Sequence, residues 1–285
     1  MTDFTHLHVH TEYSMLDGAN NVDNLIKRAA DLNMSSLAIT DHGNLHGIIH
    51  FYEKALKNGI KPIIGEEFYL SPHPLDSTNE MKRKAKNYHL VLLAKNEKGL
   101  GNLYKLSSLG FTRGFRYRPR IDKDMLRKYS DGLVCLSACR GGEIQKNILN
   151  NDIDAAMRSA EEYCEIFSKE RFFLELMRIG LADDDRIIEG QMEIARELGI
   201  DVVATNDVHY LTKKDSLAHE ILLCIQTGRT INDEDRFRFQ TNEFYLKTPE
   251  EMSELFSDIP EAISNTMKVA DMCNVKIDVS GKNFK

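Results

Sequence analysis

The sequence predicts an α/β fold: strands alternating with helices, closed as a barrel, with a helical appendage at the C-terminal end. Three observations predict it. Seven apolar or β-rich runs are separated mostly by helical patterns, the signature of a parallel sheet with crossover helices. Nearly every run closes in, or leads into, a His, Asp, Glu or Cys, as when a barrel gathers a site at one rim. The chain has 285 residues and 42% hydrophobic content, which suits a large core and an α/β barrel rather than a disordered chain.

The strand-like runs fall near 4–9, 36–40, 62–70, 88–94, 132–137, 171–177 and 201–205. Helical patterns lie between most of them, at about 21–33, 45–58, 97–109, 152–168 and 182–198. In the fourth of these, Ile153, Ala156, Met157, Ala160, Tyr163, Cys164 and Phe167 follow the i, i+3, i+4, i+7 spacing of one buried face. Seven strands favour a barrel over an open doubly wound sheet. No GxGxxG or phosphate-binding loop follows the first run, so a nucleotide-binding doubly wound fold lacks its motif. The barrel is assigned to residues 1–214. From about 215 the pattern changes to two helical segments, 215–227 and 249–273, around a polar loop carrying Arg229, Asp233, Asp235, Arg236 and Arg238. The end, 279–285, reads as a linker. Segment 71–87, with Lys82, Arg83, Lys84 and Lys86, reads either as a solvated loop or as a lid between two ligand-bearing strands.

Composition narrows the function classes. A net charge of −7 argues against a wholly basic nucleic-acid binder, though metal ions or a local basic patch can still receive phosphate. There is no apolar run of membrane length and no signal peptide, which points to the cytosol. Five cysteines (135, 139, 164, 224 and 273) contain no CxxC pair and read as reduced thiols.

The candidate metal ligands are His8, His10, Asp17, Asp41, His42, Glu67, His89, Cys139, Asp207 and His209. His8 and His10 alternate on a strand, so both imidazoles face one ion. Asp207 and His209 repeat that spacing near the last strand. Glu67 is placed to bridge two ions. Imidazole, carboxylate and one thiolate together suit Zn, Mn or Fe better than Ca or Mg. A lone strand-end histidine is usually only a hydrogen-bonded one; the repetition along the chain carries the inference. Cys139 is set apart from buried Cys135 and Cys164 by its glycine-rich turn. His6 shares a face with His8 and His10 and is expected to support them. His46, His50, His73 and His219 read as structural or surface residues. Arg113, Arg116, Arg118 and Arg120 interleave with Phe115 and Tyr117. That pattern fits phosphate contact with base stacking, a solvated basic loop, or a docking segment.

Five stretches, His6–Gly18, Ala38–Gly43, Lys61–Glu67, Tyr88–Ala94 and Ala204–Tyr210, together with Cys139–Ile144 and Phe256–Thr266, resemble a known family. It is the polymerase and histidinol phosphatase (PHP) domain at the N-terminus of bacterial DNA polymerase III alpha subunits. The resemblance implies a distorted (βα)7 barrel and up to three divalent ions. It implies one ion on His8, His10, Glu67 and Asp207, a second on Glu67, His89 and Cys139, and a third on Asp17, His42 and His209. Its implied partners are the rest of the polymerase, the primer 3′ end of DNA, and a separate proofreading exonuclease subunit. Three functions follow: a metal-dependent 3′–5′ exonuclease, a non-catalytic metal-stabilised docking module, or a small-molecule phosphatase.

Overall fold

Apolar alternation decides which way each strand faces. In a computed structural model describing residues 3–15, 17–79 and 85–279, the strands are β1 (Ser36–Ile39), β2 (Lys61–Leu70), β3 (Tyr88–Ala94), β4 (Arg120–Ile121), β5 (Leu133–Leu136), β6 (Phe172–Met177) and β7 (Asp201–Thr205). They form one curled sheet in the order β1-β2-β3-β5-β6-β7, with β4 paired to β2. Ala38, Ile63, Val91, Leu93, Val134, Leu136, Phe173 and Val203 pack on one another inside the curl. Their strand neighbours Leu37, Ile64, Leu90, Leu92, Cys135, Phe172, Leu174 and Val202 pack outward against the helices. Both faces are buried, so the strands are apolar almost throughout.

The helices are α1 (Val22–Asp31), α2 (Ile48–Lys57), α3 (Glu97–Thr112), α4 (Lys123–Tyr129), α5 (Glu143–Leu149), α6 (Ile153–Phe167), α7 (Asp184–Leu198), α8 (Ser216–Thr227), α9 (Pro249–Leu255) and α10 (Pro260–Met272). Side-chain caps start several of them: Asn21, Asn96, Asp122 and Asp152 each accept from a backbone N–H of the first turn. α7 stops at Gly199, whose φ of 63° is the left-handed conformation of a helix C-terminus. No described helix is long and apolar enough to cross a membrane.

Four expectations need correction. Run 4–9 is not a regular strand; it makes only an isolated bridge between Val9 and Val208. Its backbone still bonds both ends of the sheet. His6 and Val9 carbonyls accept from Ala38 and Thr40 on one side, and His8 O and His10 N pair with Val208 on the other. These bonds close the ring. Second, the sheet is mixed: β3 runs antiparallel to both β2 and β5. Segment 71–87 joins β2 to an antiparallel neighbour, so β3 enters from the opposite end. Of the lid residues, Lys82, Arg83 and Lys84 lie outside the described residues. Third, β4, α4 and α5 were not anticipated. Fourth, 249–273 is two helices, because Pro260 starts a new one.

The appendage belongs to the same core. Val269, Ala270 and Cys273, at the end of α10, pack against the apolar layer inside the sheet. Thr248 and Glu251 form a reciprocal capping box at the start of α9.

Candidate metal centre

Inside the curl the apolar layer gives way to a polar one. Counting by twos along a strand, Ile63 and Gly65 lead to Glu67, Leu93 and Val91 to His89, Phe173 to Glu175, and Val203 to Thr205. His89 reaches the rim because β3 is antiparallel, so its first residues lie beside the last ones of its neighbours.

Glu67 is the hub. His8 Nε2 lies 3.4 Å from Glu67 Oε1, His10 Nε2 3.7 Å from Oε2, and His89 Nδ1 2.9 Å from Oε1. His42 Nδ1 contacts Glu67 Oε2 as well. Asp207 Oδ1 sits 3.3 Å from His8 Nε2 and 3.1 Å from His10 Nε2. Cys139 Sγ is 3.7 Å from Glu67 Oε1 and 3.6 Å from His89 Nδ1. Asp17 Oδ2 is 3.5 Å from His42 Nε2. The His10 ring stacks on His42 with centroids 4.0 Å apart, and the His209 ring, tilted to His10, has its centroid 4.3 Å away. The nine residues of the three implied sets therefore meet at one rim. Three sets have donor atoms close enough to share an ion: His8, His10 and Asp207; His42, Glu67 and His89; and His10, His42 and His209. These divide the residues somewhat differently from the implied sets, with Cys139 and Asp17 at the margins.

The donor atoms fit a cation. His8 Nε2, His10 Nε2, Glu67 Oε2, Asp207 Oδ1 and Asp17 Oδ1 are buried and make no hydrogen bond, although buried polar atoms normally find partners. Electrostatics point the same way. Burial alone pushes Glu67 up, but the His89, His42 and His8 imidazoles outweigh it and hold the carboxyl well below its usual range. Burial opposes a charge on His42, yet Glu67 and Asp17 raise it to about 9. Burial likewise opposes a charge on His8, and Glu175, Asp207 and Glu67 overcome it. His10 is depressed by burial and by its neighbours His42 and His209. Burial, Asp207 and Glu67 push the Cys139 thiol up. The carboxylates thus hold protons on imidazoles where a metal ion can take their place.

The local backbone is specialised. Ala138, just before Cys139, and Asp207 both have positive φ, at 66° and 45°, a conformation uncommon outside glycine. Gly141 lies against His89: an added Cβ would stand 3.0 Å from the ring.

Sequence reasoning missed one support and misassigned two residues. Glu175 Oε1 accepts from His8 Nδ1 and from Thr205 Oγ1, each at 2.6 Å. It is a lone acid in the apolar run Phe172–Met177, and that exception was the available signal. Asp41 is an anchor rather than a ligand. It accepts from Thr11 N, Thr11 Oγ1 and Ser14 Oγ, and Ser14 Oγ reaches His10 Nδ1 at 3.0 Å. His6 does not support the centre. The irregular backbone turns it to Lys247 O at 2.9 Å, and burial lowers its pKa to about 4.

The basic loop lies beside the centre. Arg118 covers the Tyr69 ring, its guanidinium carbon 5.7 Å from the centroid. Tyr69 in turn packs against His42 and His89. Tyr117 is 89% exposed, and Arg113 is exposed. Arg120 departs from expectation: it is buried on β4 and donates through Nε to Gly114 O at 3.0 Å. A different wall went unread. A cavity of about 310 Å³ is lined by His42, His89, Asp207 and His209, and also by Phe237, Phe239 and Phe244.

The PHP domain family matches residues 6–179. The chain is similar to the DNA polymerase III subunit alpha of Borreliella burgdorferi, 48% identical over 271 residues, covering 95% of this chain and 24% of that protein. The Thermus aquaticus protein of the same name is 41% identical over 285 residues, covering 98% and 23%. The chain spans about a quarter of the length of the curated relatives it matches. Among solved structures, it is similar to a two-domain Bacteroides vulgatus protein described as containing a predicted PHP-like metal-dependent phosphoesterase. That match has a TM-score of 0.48 and 14% identity, and covers 92% of this chain and 64% of the other.

Proposed function

Because this chain belongs to the PHP domain family, we propose that it is a metal-dependent phosphodiesterase acting at a DNA 3′ end within a replicative polymerase. The observation that carries the reading is the convergence of buried donor atoms without hydrogen bonds from His8, His10, Glu67 and Asp207. His8, His10, Glu67 and Asp207 would hold one ion, Glu67, His89 and Cys139 a second, and Asp17, His42 and His209 a third. Zn, Mn or Fe fits this mixed donor set. When bound, the ions supply the positive charge that phosphoester hydrolysis needs at the phosphoryl oxygens.

The chain's own residues prepare that chemistry. Glu175 accepts from His8 Nδ1, which leaves Nε2 as the free donor atom. Ser14, fixed by Asp41, orients His10 in the same way. The apolar layer below the rim strengthens charge interactions beside it. Arg118 reaches the centre through Tyr69, and with Arg113, Arg116 and Tyr117 it would receive a nucleic-acid backbone; buried Arg120 holds the base of that loop. The 3′–5′ proofreading assignment draws on the relatives' name, since a polymerase delivers primer ends. The remainder of the polymerase and a separate exonuclease subunit are the partners this reading implies.

The test is degradation of a 5′-labelled, 3′-mismatched primer with added Mn²⁺ or Zn²⁺, native chain beside His8→Ala. A metal-dependent ladder absent from a folded His8→Ala variant is the expected result. No ladder from metal-loaded, folded native protein would transfer the assignment to a non-catalytic docking module.

A further inference from the structure

The cavity at the metal centre has two unlike walls. One is made of imidazoles and carboxylates; the other is aromatic, built from the loop after α8 that the sequence presents as polar. Phe239 is the keystone. Its ring centroid lies 4.3 Å from that of Phe244, 5.2 Å from His209 and 4.7 Å from His219. Phe237 meets Phe239 edge-on at 6.1 Å and is 55% exposed. The alternation Phe237-Arg238-Phe239 brings both rings to the cavity, one anchored and one open. Arg140, paired to Asp183, lines the cavity as well, and Arg118 covers Tyr69 beside His42 and His89.

We infer that Phe237 and Phe239 form a stacking subsite for the unpaired base of the nucleotide whose phosphate lies on the metal centre. The inference rests on the function proposed above. A phosphoester held by the ions that His8, His10, Glu67 and Asp207 would bind has the rest of the same cavity for its organic portion. A flat apolar face there accepts any base, because every base has a π-face. The arginine loop then has room to take the phosphates of the continuing strand. The subsite makes the centre selective for frayed ends: a paired 3′ base would have to leave its stack before reaching Phe239.

The test measures binding of dAMP, 2-deoxyribose 5-phosphate and inorganic phosphate to the Mn²⁺-loaded chain by calorimetry. The native chain is compared with Phe237→Ala and Phe239→Leu. Phe237 is exposed, so its removal does not threaten the fold. The readout is the ratio of dAMP to deoxyribose 5-phosphate affinity. In the native chain the base is expected to contribute about 5- to 100-fold, and each substitution should reduce that ratio. Equal affinity for the two ligands in the native chain, or a ratio unchanged in both variants, overturns the subsite alone. Failure of all three phosphates to bind the metal-loaded chain overturns the phosphodiesterase reading with it.

Discussion

Glu175 offers the sharpest probe of the proposed metal centre, because it touches the site only through His8. Both donors, His8 Nδ1 and Thr205 Oγ1, reach the same oxygen, Oε1. Oε2 is buried without a hydrogen bond. Glu175→Gln can therefore keep the shape and both hydrogen bonds, placing its amide nitrogen where Oε2 stood, while the negative charge disappears. A partner behind a ligating histidine is worth about 10- to 100-fold in metal affinity, or about 1.4–2.7 kcal/mol. The fold should lose less, about 1–2 kcal/mol, since a charged hydrogen bond is replaced by a neutral one. Competition against a chromophoric chelator measures the affinity, and urea denaturation of the metal-free protein measures the fold. A folded Glu175→Gln variant that binds Mn²⁺ or Zn²⁺ as tightly as the native chain would refute the argument. It would mean that His8 is not a ligand, or that its orientation is set elsewhere.

Two further outcomes test the surrounding structure. Gly65→Ala should destabilise the chain by about 1–3 kcal/mol. Its Cβ would stand 2.6 Å from Leu92 O and 2.5 Å from Leu93 Cδ2, on the strand paired to it; an unchanged urea midpoint would show that β2 and β3 can separate at no cost. His6, with a folded pKa of about 4 against 6.5 unfolded, gives the native state an acid sensitivity. Its contribution is full above pH 6.5 and is lost as pH falls toward 4, because the unfolded chain takes the proton first. The loss is about 3 kcal/mol, so denaturation series from pH 7 to 4 should be flatter in a folded His6→Gln variant. Identical slopes would contradict the burial argument.

The candidate ligands were legible because each stands out chemically beside an apolar run. His8, Glu67 and Asp207 are polar exceptions in or just after such runs. The same reasoning misread His6, since it assumed a regular two-residue alternation that residues 4–9 do not keep. Strand direction was harder to read. Nothing in Tyr88–Ala94 says that it runs antiparallel; only the polar sequence of 71–87, which carries no helical pattern, hints at it. β4 pairs at just two positions, Arg120 and Ile121, too few to show a period. Glu175 was readable in principle, as an acid inside Phe-Phe-Leu-Glu-Leu-Met. The aromatic wall was obscured by the arginines that alternate with Phe237 and Phe239 and by the acids just before them.

Closure of the ring by residues 6–10 also sets an order of events. The segment carrying His8 and His10 makes its bridge with Val208, about 200 residues later in the chain. Contacts so distant in sequence form slowly and late. A nascent chain can build β1, β2 and β3 early, but the imidazoles of its first turns wait for β7 to emerge. The metal centre is then among the last parts to be completed, and bound metal would report that the whole ring has closed. A metal added during refolding should accordingly slow unfolding more than it speeds folding.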